Sequence, residues 1–422
     1  MKKLNNSMRL IIYWAALSTA SAFGLLVEPG VVQSQLDTAQ LVADVLVTDL
    51  SASPDPIFRA TLLAHASIEN IVRSATSARL GDTIGIFSLG GELGNFGVMF
   101  SGFPRPYVGS RYRAYLNLRA DGHYEVAGYD RGLSPLSTPS TVREMWTRNR
   151  TDGSNGTGTG PYLYWNDSYL PLSYFVSVPT FKNFSSFPAA IDASFKTWRD
   201  PQDVKLEYVG LGCTSNNVQG SEGINTVIYV SQNWQYDPSA IAITRNFYVA
   251  GNNPQSGLIL DSDILLNGAN HQFTTTNELG KHDVQNIVTH EAGHFIGLGH
   301  DVDPDADPDA TMYATASPNE YKKRTLKADD LSALHAAYAG VGNKGDFQHV
   351  TCNLPDGGPT SCASSRGPAS FAPWRIVAAI LYFGFLFLIP MMARSLTYFK
   401  RRISCFARVD NGLFGKRSIS SW

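Results

Sequence analysis

Apolar runs of strand length, broken by polar and Gly/Pro turns, fill the chain from about residue 40 to 267. In the first part Thr83–Leu89, Gly97–Phe103 and Tyr112–Leu118 are strand-like, punctuated by Gly90-Gly91 and Pro104-Arg105-Pro106. Residues 23–150 therefore read as a small β-rich domain, either a pro-segment or an accessory unit. A Gly/Ser/Thr/Asn-rich linker at 151–160 separates it from the second half of the chain. Between 161 and 340 five more strands are expected, at Leu170–Val178, Val204–Val209, Asn225–Ser231, Ile241–Ala250 and Gly257–Asn267. Between the first two, Ala189–Trp198 has helical spacing, with Ile191, Phe195 and Trp198 on one face. A further helix starts after Asp283, an N-cap residue type, and buries Val284, Ile287, Val288, Phe295 and Ile296.

Both ends carry apolar runs of another kind. Lys2, Lys3 and Arg9 precede an apolar stretch from Leu10, and Ala20-Ser21-Ala22 offers a small-residue cleavage site, so 1–22 reads as an export signal. The run is short for an uncleaved anchor. Ile376–Ala393 is continuously apolar, and as a helix would span about 27 Å, close to a bilayer's hydrocarbon thickness. Trp374 marks one boundary, while Arg394, Lys400, Arg401 and Arg402 follow the other. This predicts one transmembrane helix at 374–394, a stalk at 341–373 and a basic cytoplasmic tail at 395–422. The competing reading of the apolar segment is a sorting signal that is later removed.

The chemistry concentrates in His290-Glu291-Ala292-Gly293-His294-Phe295-Ile296-Gly297-Leu298-Gly299-His300. One helical turn separates His290 from His294, so both imidazoles reach one metal ion. Gly297 takes the left-handed conformation that ends the helix and returns His300 to the same ion. Three protein nitrogens leave a fourth position for water, the mark of a catalytic zinc site. Glu291, beside the first ligand, is placed to act as general base on that water.

The motif resembles the metzincin zinc proteases. Downstream, Thr311-Met312-Tyr313 resembles their Met-turn, and Leu326–Leu331 running to Tyr338-Ala339-Gly340 is similar to the closing helix of the matrixin branch. There the second aspartate of the pair ties that helix to the Met-turn, a role that would fall to Asp330; two acids in a first helical turn are also favoured by the helix dipole. The resemblance covers about 161–340. It implies an α+β fold, with a five-stranded mixed sheet and three helices forming the catalytic domain between the β-rich region and the membrane helix. In that family an antiparallel edge strand takes up extended peptide substrate, and Gly257–Asn267 is the candidate for a strand near that rim. The implied activity is zinc-dependent peptide-bond hydrolysis.

Composition narrows the partners. With net charge −2 and 17% charged residues the chain has no basic patch for nucleic acid. Protein or peptide substrates and a membrane remain, with the catalytic domain extracytoplasmic; oligomeric state is unspecified. Asp301-Val302-Asp303-Pro304-Asp305-Ala306-Asp307-Pro308-Asp309 is either a solvated acidic loop or a calcium site, though not an EF-hand, because Ala306 and Met312 stand at its key positions. His65, His123, His271, His282, His335 and His349 lack ligand-like spacing. Cys352 and Cys362 would close a small stalk loop in an oxidising compartment, Cys405 would lie on the cytoplasmic side, and Cys213 is either free or bridged to the stalk. No cysteine occurs before Cys213, so the β-rich region cannot supply a thiolate latch to the metal. The rival expectation is a membrane-anchored adhesion or binding module with a vestigial zinc site.

Overall fold

A computed structural model describes residues 26–101, 103–106, 108–136, 146–151, 160–177, 185–214, 223–300, 307–342, 344 and 346–350. The expected signal at 1–22, most of the linker and stalk, the apolar helix at 374–394, the tail at 395–422 and Asp301–Ala306 lie outside these. So do Cys352, Cys362 and Cys405. Among the described residues no helix is long and apolar enough to cross a membrane.

In chain order the strands are β1 (Leu26–Val27), β2 (Leu41–Asp55), β3 (Arg59–Ser74), β4 (Thr83–Leu89), β5 (Gly91–Leu93), β6 (Phe96–Phe100), β7 (Arg111–Leu118) and β8 (Tyr124–Val126). They continue with β9 (Leu133–Pro135), β10 (Leu172–Ser177), β11 (Tyr208–Thr214), β12 (Thr226–Val230), β13 (Ala240–Val249), β14 (Ile259–Asn267), β15 (Phe273–Thr274) and β16 (His282–Asp283). The α-helices are α1 (Val31–Thr38), α2 (Phe187–Arg199), α3 (Val284–Phe295) and α4 (Ala328–Tyr338).

One sheet runs β2-β3-β4-β8-β7-β9 and closes through a β2–β7 pairing. Small and β-branched residues on its inner face (Ala43, Val45, Ala64, Ala66, Ile68, Ala114) pack with Tyr112 and Leu116 into a core of their own. The second sheet runs β11-β10-β12-β14-β13-β6-β5, with β1 also pairing β13. Strands β10 to β12 and β14 are parallel, and β13 is antiparallel to β14. Helices α2 and α3 pack on this sheet through Ile191, Phe195, Trp198, Ile287, Val288 and Phe295. A mixed sheet with few helices is thus present, as expected from the sequence.

Two expectations need correction and a third becomes more definite. The β-rich region is not a free-standing unit: β1, β5 and β6 leave it and extend the sheet that carries the helices. The physical reason is a shared core, in which Ala60, Leu89, Val98 and Phe100 interdigitate with Tyr236, Ile243, Phe247 and Leu265. Second, Gly257–Asn267, the strand expected near the rim, lies next to the antiparallel strand and does not itself form the rim. That segment forms β14 inside the sheet between β12 and β13, and β13 is the antiparallel strand beyond it. Its far side is taken by the chain itself: Leu26 and Val27 pair with Ala242 and Ala240, Ser101 donates to the Thr244 carbonyl, and Phe96–Phe100 pair with Val249–Arg245. Third, His271 and His282, unrelated by spacing, come together with Glu28.

The closed sheet carries a titratable group of its own. Glu125 is buried, and desolvation lifts its carboxyl to about 7 despite Arg119 at 3.4 Å. A folded-state pKa raised above the unfolded value means the stabilisation is complete below pH 4.5 and is lost as pH rises through 7. Glu125→Gln is therefore expected to flatten the fall in melting temperature between pH 4.5 and 7.5. Parallel wild-type and variant curves would refute this.

Candidate metal centre

Helix α3 is fixed at both ends before any ligand is considered. At its start Asp283 Oδ1 accepts the Asn286 amide at 2.8 Å, satisfying a donor the helix leaves open. The carbonyls of its second half are met by side chains from four other elements. Trp198 Nε1 donates to Thr289 O, Thr244 Oγ1 to Glu291 O, Asn246 Nδ2 to His294 O, Trp165 Nε1 to Phe295 O and Tyr338 Oη to Ile296 O. Gly297 then turns the chain at φ +89°, where a Cβ would also sit 2.6 Å from the Leu163 carbonyl. The segment 146–151 runs beside the returning loop: Asn149 N donates to Gly297 O, and Thr147 Oγ1 holds His300 O at 2.6 Å.

This scaffold brings His290, His294 and His300 together. Their three Nε2 atoms form a triangle with every side 3.1 Å. Nitrogens sharing one tetrahedral zinc at 2.0–2.1 Å would stand about 3.3 Å apart, so the triangle fits such an ion. The opposite ring nitrogens of two of them are committed, His290 Nδ1–H to Thr311 O at 2.6 Å and His294 Nδ1–H to Leu298 O at 2.8 Å. That fixes the tautomer and presents both Nε2 lone pairs inward. Burial and the neighbouring imidazoles hold His290 and His294 far below the ordinary histidine range, keeping them neutral and ready to ligate.

Glu291 adjoins them, fully buried. Thr244 Oγ1–H donates to its Oε2 at 2.6 Å, while Oε1 is buried without a hydrogen-bond partner. Burial, only partly opposed by the Thr244 hydrogen bond, pushes the carboxyl up to about 8, and a divalent cation at the three nitrogens would pull it back down. A buried carboxylate oxygen with no donor, on the residue next to a ligand, and three converging lone pairs are chemically unbalanced unless a cation and a proton donor such as water complete them.

Beneath the histidines lies the turn at Met312. A Cβ on Gly293 would meet the Met312 sulfur at 2.2 Å, so only glycine lets the methionine pack this close to the helix. Asp330 clamps the turn, accepting Thr311 N at 2.8 Å, Met312 N at 3.0 Å and Lys327 N at 2.8 Å. The tie from the last helix to this turn is thus present. Sequence reading missed Lys323, whose buried ammonium donates to Ala310, Thr311 and Tyr313 carbonyls at 2.9, 3.3 and 2.6 Å. Burial lowers it to about 7. It also missed Thr244, since a lone threonine in an apolar strand signals nothing until the strand is placed under the helix.

Of the acidic run, the described Asp307 and Asp309 are engaged locally: Asp307 Oδ1 accepts Asp309 N at 2.9 Å, and Asp309 pairs with Lys322 at 2.9 Å. Among the described residues this run joins no metal-holding group. A cavity of about 520 Å³, lined by Leu50, Leu62, Glu92, Arg105 and Asn253 among others, touches none of the histidines. The centre itself is covered, with His290, Glu291 and His294 at 0% and His300 at 1% exposure. No curated protein matches the chain. Residues 165–339, which hold the three histidines, Glu291, Met312 and Asp330, match the model of the Matrixin family of peptidases, so this part of the chain is similar to a matrixin domain.

Proposed function

We propose that this protein is a zinc-dependent endopeptidase acting on extracytoplasmic proteins, with His290, His294 and His300 holding the metal and Glu291 as general base. The observation that carries the reading is the 3.1 Å triangle of Nε2 atoms, together with a buried, unpartnered oxygen on Glu291, the residue that follows the first ligand. Zinc, when bound, supplies Lewis acidity to the scissile carbonyl and lowers the pKa of water towards about 7. Glu291 takes the proton from the attacking water and later delivers it to the leaving amine. Thr244 restrains one carboxylate oxygen, so the other is the one that exchanges the proton.

Extended peptide would be held by main-chain hydrogen bonds to β13, the antiparallel strand beside the helix. That edge is paired with β1 and β6, so the reading includes a latent state in which the chain's own strands occupy the peptide path. The apolar segment 374–394, with basic residues after it, supports single-pass anchoring in a membrane with the catalytic domain outside.

The covered centre also favours the rival, a surface binding module that never admits substrate. Digestion of a peptide library by the zinc-replete full-length protein, with and without a chelator, separates the two. Cleavage that chelation abolishes is expected; no cleavage even after β1 is displaced would favour the module.

A further inference from the structure

Among the described residues, a second group of side chains able to share a cation is Glu28, His271 and His282, whose ligand atoms all lie within 4.8 Å of one another. Glu28 follows β1, His271 follows β14, and His282 begins the two-residue strand that leads into Asp283, the cap of α3. The group therefore joins the segment after β1 to two positions eleven residues apart ahead of α3, none of them contributing to the histidine triangle.

Each member is prepared for a cation rather than for another role. His282 is buried, its Nδ1 has no hydrogen-bond partner, and its Nε2 stands 3.4 Å from Glu28 Oε1. That separation is close to the roughly 3.3 Å between two ligands of a tetrahedral zinc. His271 Nε2–H donates to the Pro238 carbonyl at 3.0 Å, the outer contact that orients a ligating imidazole and leaves Nδ1 with its lone pair. The two rings meet edge to face at 5.3 Å. Burial, then His271, holds the His282 imidazole down to about 4, so it is neutral at physiological pH. Lys281, adjoining His282 in the chain, does not compete for Glu28: its ammonium is turned to Glu278 at 2.5 Å.

We infer that Glu28, His271 and His282 form a second divalent-cation site, of the two-histidine, one-carboxylate type that suits zinc, with water completing it. Its position gives it a task. A cation there fastens the residue directly after Leu26–Val27 to the segment that starts the metal-bearing helix, and so holds β1 on β13. This consequence rests on the reading of β13 as the peptide-binding edge; the site itself does not.

The test is a zinc titration of chelator-stripped full-length protein, followed by calorimetry and elemental analysis. Wild type is expected to take two equivalents. Glu28→Gln, at a side chain 45% exposed and so sparing the core, should weaken one of them at least about 10-fold. His282→Asn should remove it. His294→Ala should remove the other while leaving a zinc-dependent rise in melting temperature that His282→Asn abolishes. Two equivalents in Glu28→Gln/His282→Asn, or a single wild-type equivalent lost only with His294→Ala, would overturn the second site. A single equivalent lost only with Glu28→Gln would uphold it and refute the triangle.

Discussion

Glu291→Gln is expected to lower kcat on peptide substrates by about 10²–10⁴-fold while zinc stays bound at unchanged stoichiometry. The substitution keeps shape and keeps an acceptor for the Thr244 hydroxyl, which holds Oε2 at 2.6 Å. It removes only the capacity to accept a proton. Because the wild-type carboxyl is fully buried, with an oxygen lacking a partner, the neutral amide should fold at least as well. Melting temperature and metal content therefore serve as controls inside the same experiment. A variant that retained more than a tenth of the wild-type rate would place the base elsewhere. One that lost zinc would mean Glu291 supports the ligands rather than the reaction.

The parts of this molecule that were legible in its sequence are those whose cause is local. His290 and His294 follow from one helical turn, Gly297 from the need for positive φ, and Asp283 from the chemistry of an N-cap; each is where the spacing placed it. Helix α2 and strands β10, β12 and β13 begin within two residues of expectation for the same reason. Expectation failed where the cause was non-local. Val204–Val209 enters its strand only at Tyr208, because Val204 is drawn instead into a bridge with Ala339 beyond the last helix. The β-rich region looked separable because its turns and a polar linker are visible. The apolar surface that Val98 and Phe100 share with Phe247 has no sequence signature. Thr244 and Lys323 illustrate the same limit: each is one polar residue whose partner, a carboxylate or a set of carbonyls, is chosen by tertiary packing. Nor does any spacing rule connect Glu28 with His271 and His282.

Leu26→Asp/Val27→Asp is expected to raise kcat/KM for extended peptides by at least about 10-fold, measured on the zinc-replete full-length protein. Leu26 and Val27 are 0% and 1% exposed, lodged between two strand-like segments. On one side they pair antiparallel with Ala242 and Ala240; on the other Ala316 N donates to Val27 O at 2.9 Å, beside the turn that carries Met312. A peptide pairing with the Ala240–Ala242 end of β13 would need the same hydrogen bonds that β1 now makes. Two carboxylates cannot remain in that slot, since desolvating each without a partner costs several kcal/mol. Expelling a two-residue strand costs far less, because so few hydrogen bonds hold it. The gain in rate should therefore accompany faster hydrogen exchange at the Ala316 amide, which loses its acceptor when Val27 leaves. Exchange that accelerates without any gain in rate would show that β1 is not the barrier and would shift attention to β6, which still covers Arg245–Val249. The Glu291→Gln change in this background should return the rate to baseline, which ties the released activity to the metal centre and not to a contaminant.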